Sequence, residues 1–385
     1  MPGSLAARAL GRASFEAAFG AQAFVRAMLD FEAALARAQA EEGIVPAAHA
    51  EAIARACGSI ELDAGALVEE GRRHASLAVP LVERLRSHVG RALAEAARDV
   101  HRDATSQDVL DTATALCLKP CLEEADRALE GAVRALARRA REHRATPMLG
   151  RTLLQPALPI AAGLKITRWA AALAADRARL ADAQAEGLAL QLGGPVGALG
   201  AMGPAGASVR HRMALSLGLA DAPSWQVHRN AWIDLLDRMA LVILTAGKIA
   251  RDVALLAQAE VGEMREAPPR EGVGGSSAMP HKRNPVACVR AIAAATRAPG
   301  LVATLHAAGL AEHERALGGW QAELAVVPEL TDCLGASLDF LDVIAASLVV
   351  DAGRMRENLE RYGEATPIDP AAVDELLAGL ASYLA

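Results

Sequence analysis

Aromatic residues are scarce in this chain: 5 Phe, 4 Trp and 2 Tyr among 385 residues, or 3%. Half-buried strands depend on aromatic and β-branched side chains, so a sheet-based core is disfavoured. Neither charge sign is in large surplus, with 40 Lys plus Arg against 46 Asp plus Glu and a formal net charge of -6. That balance argues against a nucleic-acid grip. No uncharged run fits a membrane span either. The longest, from Gly187 to Val209, is broken by seven glycines and two prolines. The opening segment interrupts its apolar residues with Arg8 and Arg12 and has no continuous hydrophobic region of the secretory kind. Cys57, Cys117, Cys121, Cys288 and Cys333 make an odd count, which fits the reducing cytoplasm. Cys117 and Cys121 share a helical face without a neighbouring His or carboxylate at ligand spacing, so core packing is expected of them and no metal. Walker A, Rossmann, CxxC and HExxH patterns are absent, so a nucleotide cofactor or catalytic zinc has no support.

What is present is a 52% hydrophobic content dominated by Ala, Leu and Val, which suits closely packed helices. An all-α fold is expected: about five long central helices with smaller helical parts at either end. Short amphipathic helices from Phe15 to Leu67 are separated at Gly43–Pro46 and Gly58–Ser59, and another helical block runs from Pro80 to Arg98. Thr105 followed by Asp108 is a capping-box pattern, predicting a helix from Thr105 or Ser106, past a kink at Pro120, to about Arg141. Apolar periodicity predicts further helices over 161–192 and 229–260, the latter carried by Trp232, Leu235, Leu236, Met239, Val242, Ile243, Ala246 and Ile249. The three prolines and a glycine of 146–160 preclude one regular element, and QLGGPVGALG reads as a bend. The Pro/Gly/Ser-rich segment 262–285 reads as a loop. Asn284 and Pro285 then read as N-cap and first residue of a helix to about Ala308, and a last long helix covers 315–350. The expected division is 1–102, a central bundle 103–345 and a short segment 346–385.

Chemistry is expected at the two announced helix starts. Unpaired N–H groups and the helix dipole make such ends natural carboxylate sites. Lys282 and Arg283 stand beside the second, and Ser276 and Ser277 lie upstream in a glycine-flanked loop. Donors plus a loop hydroxyl suit proton movement beside a carboxylate that takes on charge.

GSSAMPHKRNP (Gly275–Pro285) resembles the signature loop of the fumarase, aspartase, argininosuccinate lyase and adenylosuccinate lyase superfamily. ATSQDVLDT, GRTLLQPALP, QLGGPVGALG and HERALGGWQAE follow in family order, so the resemblance covers roughly Leu77 to Leu330. Within the superfamily, SLAVPLV, HRDATSQDVLDTA and GRTLLQPALPIAAGLK are most similar to the bacterial 3-carboxy-cis,cis-muconate cycloisomerases. The resemblance implies a cofactor-free homotetramer with a twenty-helix core, active sites shared between subunits, and closure of a tricarboxylate diene to 4-carboxymuconolactone in protocatechuate catabolism. It also implies a small polycarboxylate as partner, without nucleic acid or membrane.

By the same resemblance Ser276 handles the proton on carbon, with Ser277 as the alternative. Thr105, Ser106 and Gln107 bind carboxylate, Lys282 and Asn284 are anion ligands, and Gln155 supplies an amide, with His101, His313 and Arg315 carried over beside them. Amine-releasing members carry a catalytic His where this chain has Leu153. Lactonisation needs no acid for a leaving group, so Leu153 fits a cycloisomerase, although the cycloisomerases commonly have Trp there. Arg102 and Asp103 replace a Trp-Gly pair. The alternative expectation is a β-elimination lyase acting on another dicarboxylate or a succinyl adduct.

Overall fold

A computed structural model describes residues 8–267, 273–275, 279, 282–362 and 368–384. Helices α1 (Ala13–Ala18), α2 (Ala21–Glu41), α3 (Ala47–Ser59), α4 (Ala64–Gly71) and α5 (Ala78–Ala92), with a 3-10 turn at Ala94–Asp99, precede the long helices. The expected break at Gly58–Ser59 falls one residue late in effect: α3 includes both residues, and the chain leaves the helix at Ile60.

Helix α6 (Ser106–Glu142) begins at the predicted capping box and continues through Pro120 for 37 residues. It packs against α7 (Ala162–Gly187) and α11 (Gly319–Ser347), and α9 (Asn230–Leu256), packed on both, and α10 (Val286–Ala308), packed on α9 and α11, complete the bundle. All the apolar residues that set the periodicity of α9, from Trp232 to Ile249, are buried. Burying such stripes, at about 25 cal/mol per Å² of apolar surface, is the main force holding the bundle together. All five cysteines are buried, and burial pushes the Cys117 and Cys121 thiols up to about 12, so they act as small apolar side chains. α10 is long and apolar enough to cross a membrane by length and composition alone. It packs along α9 and α11 on one side, while most of its apolar window is not buried within the single chain.

The proline-rich segment folds as an antiparallel hairpin, β1 (Pro147–Thr152) and β2 (Gln155–Ala161), with a register shift between Leu149 and Arg151. A two-stranded ribbon has only edges, where missing N–H donors at Pro156 and Pro159 are tolerated. A second ribbon pairs β3 (Met264–Glu266) with β4 (Leu348–Val350), so part of the expected loop 262–285 is strand. Between α7 and α9 the chain passes through the glycine-rich bend, a 3-10 turn and α8 (Gly206–Leu217). Helices α12 (Ala352–Tyr362) and α13 (Ala371–Leu384) follow β4.

The start of α10 departs from expectation. Pro285 is the flanking residue, and the side chain of Asn284 does not cap the helix. Instead Glu266, from β3, accepts the N–H groups of Ala287 at 3.0 Å and Cys288 at 2.9 Å. A carboxylate on two N–H groups stabilises a helix start more than a neutral cap does. Glu266→Ala should therefore lower the unfolding free energy by about 1–2 kcal/mol, read by urea denaturation. An unchanged midpoint would remove Glu266 as the cap.

Candidate active site

The start of α6 is the best-defined polar cluster. Thr105 and Asp108 form the reciprocal capping box, with the Thr105 N–H donating to Asp108 Oδ2 at 3.0 Å. Asp108 also accepts from Gln191 Nε2, Gly193 N and Gly194 N, each at 2.9 Å. One buried carboxylate thus ties the helix start to the glycine-rich bend. That bend passes so close that a Cβ at Gly193 would lie 2.3 Å from Ser224 Oγ, which only glycine avoids.

Burial pushes Asp108 up to about 6, against the pull of the four N–H donors. The folded chain therefore holds this proton more tightly than the unfolded chain, whose Asp titrates at about 4. Between those values the folded state binds more protons, so the stability contribution of Asp108 falls as pH rises. Asn does not titrate. The stability advantage of the wild type over Asp108→Asn should thus be smaller at pH 7 than at pH 4.5, measured by denaturant unfolding; an advantage that grows with pH would contradict the assignment.

Arg315 comes from the loop before α11 and donates to Thr105 Oγ1. Ser106 is half-buried beside it, whereas the Gln107 side chain points inward, with Nε2 donating to Asp111 Oδ2 at 3.2 Å and to the Gln226 carbonyl at 3.0 Å. Only the backbone N–H of Gln107 stays at the helix start.

Behind this surface lies a buried ion cluster that the sequence did not announce. Arg229 donates to Asp111 at 2.8 and 3.2 Å and to Glu323 at 3.0 and 2.6 Å, and its guanidinium stacks 4.7 Å over the Trp225 ring. Burial raises Glu323 while Arg229 pulls it down, and the net direction is upward. Asp111 and Glu323 belong to the ATSQDVLDT and HERALGGWQAE segments, so Arg229 links the two.

His101, at φ 59, pairs through Nδ1 with Glu32 at 2.7 Å. Burial disfavours the protonated ring, but Glu32 outweighs it through charge and hydrogen bond, and His101 sits above the usual histidine range. His313 is exposed at φ 50. Arg102 turns toward the N-terminal helices, donating to Asp99 at 3.0 Å and the Ile44 carbonyl at 3.1 Å. Asp103, at φ 60, occupies a left-handed conformation that Asp tolerates better than most residues.

The remaining candidates stand apart. Gln155 is exposed at the hairpin tip beside Leu153 and Leu154, whose φ values of 51 and 63 give the turn its left-handed bend. Arg151 fixes this hairpin through a bidentate pair with buried Glu263, both contacts 2.7 Å. Lys282 and Asn284 are exposed, with the loop closed by a Gly275–Arg283 bridge and an Asn284 N–H to Gly274 carbonyl bond of 2.8 Å. Ser276 and Ser277 lie outside the described residues. Among the described residues, no hydrogen bond or ion pair joins Gln155, Lys282 or Asn284 to the cluster at Thr105.

Residues 12–300 match the family model described as lyase. The chain belongs to this lyase family. The lyase-family chain is 47% identical over 358 residues to the 3-carboxy-cis,cis-muconate cycloisomerase of Bradyrhizobium diazoefficiens, covering 92% of this chain and 79% of that protein. It is 41% identical over 360 residues to the nitrosuccinate lyase of Streptomyces davaonensis, covering 90% and 75%. The crystal structure of 3-carboxy-cis,cis-muconate lactonizing enzyme from Pseudomonas putida superimposes with a TM-score of 0.86 at 38% identity, over 93% of this chain and 80% of that one. The all-α reading of the sequence and its placement in the superfamily agree with these likenesses.

Proposed function

We propose that this chain is a 3-carboxy-cis,cis-muconate cycloisomerase, an intramolecular lyase that forms 4-carboxymuconolactone in protocatechuate catabolism, the β-ketoadipate pathway. One observation carries the reading: the chain has a cradle of donors at the α6 start, and its hairpin tip presents Leu153, which is 96% exposed and has no proton to give. A reaction that expels an amine or hydroxide needs an acid for the leaving group; lactonisation expels nothing.

In this reaction one substrate carboxylate forms a C–O bond to the double bond, the neighbouring carboxylate takes on enediolate character, and one proton is taken up at carbon. Thr105, the N–H groups of Ser106 and Gln107, and Arg315 hold one substrate carboxylate. Lys282 and Asn284 hold another, Gln155 supplies an amide, and Ser276 delivers the proton, with Ser277 as the alternative. His101 and His313 border the cradle.

No hydrogen bond or ion pair among the described residues joins Gln155, Lys282 or Asn284 to Thr105 within one chain, and the reading includes a site shared between copies, in a homotetramer with a twenty-helix core. Exposed Leu153, Leu154 and Leu158 on the hairpin, and Val286 and Val289 on α10, are surfaces such an assembly would cover. The division into 1–102, 103–345 and 346–385, and a cytoplasmic location, belong to the same reading.

A β-elimination lyase is the second reading. It is favoured by the 41% identity to a nitrosuccinate lyase and by the Arg102–Asp103 pair beside the α6 start. An ultraviolet assay of purified protein with 3-carboxy-cis,cis-muconate separates the two. Loss of diene absorbance with formation of 4-carboxymuconolactone is expected; no loss from folded, tetrameric protein would move the assignment to the elimination lyases.

A further inference from the structure

Three of the recognition segments meet at one buried amide. Gln226 lies between α8 and α9 and is 1% exposed. Its Nε2 donates to the Glu314 carbonyl at 2.5 Å, and its backbone carbonyl accepts from Gln107 Nε2 at 3.0 Å. A Cβ at Gly193 would lie 2.9 Å from its Oε1, so the glycine-rich bend passes against the same side chain. The α6 start, the bend and the loop before α11 therefore share this residue.

The loop before α11 is anchored at few points, with Ala316 the one buried side chain among residues 312–317. His313 and Gly318 have φ values of 50 and 93, left-handed conformations that L side chains seldom choose. Inside the loop, the Leu317 N–H donates to the Glu312 carboxylate at 3.1 Å. Among the described residues, residues 312–317 reach the rest of the molecule by two side-chain hydrogen bonds, Gln226 to the Glu314 carbonyl and Arg315 to Thr105 Oγ1. The first fixes the backbone one residue before the guanidinium that makes the second.

We propose that Gln226 is a positioning residue that sets the Arg315 guanidinium against the α6 start and so tunes carboxylate binding. This rests on the cradle described under the proposed function. Gln226 touches no substrate; it acts by holding the carbonyl of Glu314. A side chain of the same size that cannot donate leaves the packing and frees the loop.

Gln226→Met and Gln226→Leu keep the volume nearly unchanged and remove the donor. Both should raise the KM for 3-carboxy-cis,cis-muconate about tenfold or more, the effect of one lost hydrogen bond to a charge-bearing site, with kcat changed less than about threefold. Because Gln226 acts through Arg315, Gln226→Met combined with Arg315→Ala should bind no more weakly than Arg315→Ala alone. An unchanged KM in both single variants, or effects that multiply in the double variant, would overturn the proposal.

Should the wild type fail to turn over the muconate, calorimetric titration with tricarballylate reads the cradle by itself. Weaker binding in Gln226→Met than in wild type supports the positioning role, and equal binding overturns it. Should the wild type bind no tricarballylate, limited trypsin digestion decides without a ligand. Cleavage after Arg315 should be about tenfold faster or more in Gln226→Met while cleavage after Arg238 in α9 is unchanged; an unchanged rate after Arg315 would show that Gln226 does not hold the loop.

Discussion

Arg229→Met should lower the unfolding free energy by about 3–5 kcal/mol, because it leaves Asp111 and Glu323 buried without their shared cation. Methionine fills the space and makes no hydrogen bond, so the loss reports charge rather than a cavity. Without Arg229 the pull that lowers Glu323 is gone, burial raises it further, and its folded pKa lies above that of the unfolded chain. Stability then falls as pH rises through the carboxylate range, so the deficit relative to wild type is larger at pH 7 than at pH 5. Adding Asp111→Asn and Glu323→Gln to Arg229→Met should recover much of it. Denaturant unfolding at the two pH values reads all of this, and a deficit under about 1 kcal/mol would mean that water reaches the cluster.

Ser276→Ala is expected to act in the opposite sense, on rate and not on stability. Removing the group that delivers a proton to carbon should lower kcat by about 100-fold or more while thermal unfolding stays within about a degree of wild type. Ser277→Ala serves as the comparison, with a smaller loss. Near-normal turnover in Ser276→Ala together with a large loss in Ser277→Ala would transfer the role to Ser277, and near-normal turnover in both would remove the loop hydroxyls from the mechanism.

Local signals carried most of the fold. The Thr105–Asp108 capping box and the apolar stripe of Trp232 to Ile249 are short-range patterns, and both appear where the sequence places them. Proline content also reads correctly as a break at 146–160, yet composition does not say that the break is a hairpin, because three prolines speak against strand pairing and the ion pair of Arg151 with Glu263 joins residues 112 positions apart. The same limit explains the start of α10. Asn284 and Pro285 form a good local cap, and Glu266 displaces it by tertiary contact.

The candidate site divides along the same line. Thr105, Ser106 and Arg315 come together as their motifs suggest, but Gln107 turns inward toward Asp111, and Arg229 and Gln226 lie in a segment with no motif to mark them. Their importance comes from contacts 88 to 119 residues apart in the chain, which periodicity cannot reveal.

The central claim is a choice of substrate, and the most direct test is kcat/KM for 3-carboxy-cis,cis-muconate and for nitrosuccinate on one preparation. A ratio of about 100 or more in favour of the muconate is predicted, since the proposed site holds a tricarboxylate and nitrosuccinate brings one carboxylate fewer to it. A higher kcat/KM for nitrosuccinate would contradict the cycloisomerase and make the chain an elimination lyase.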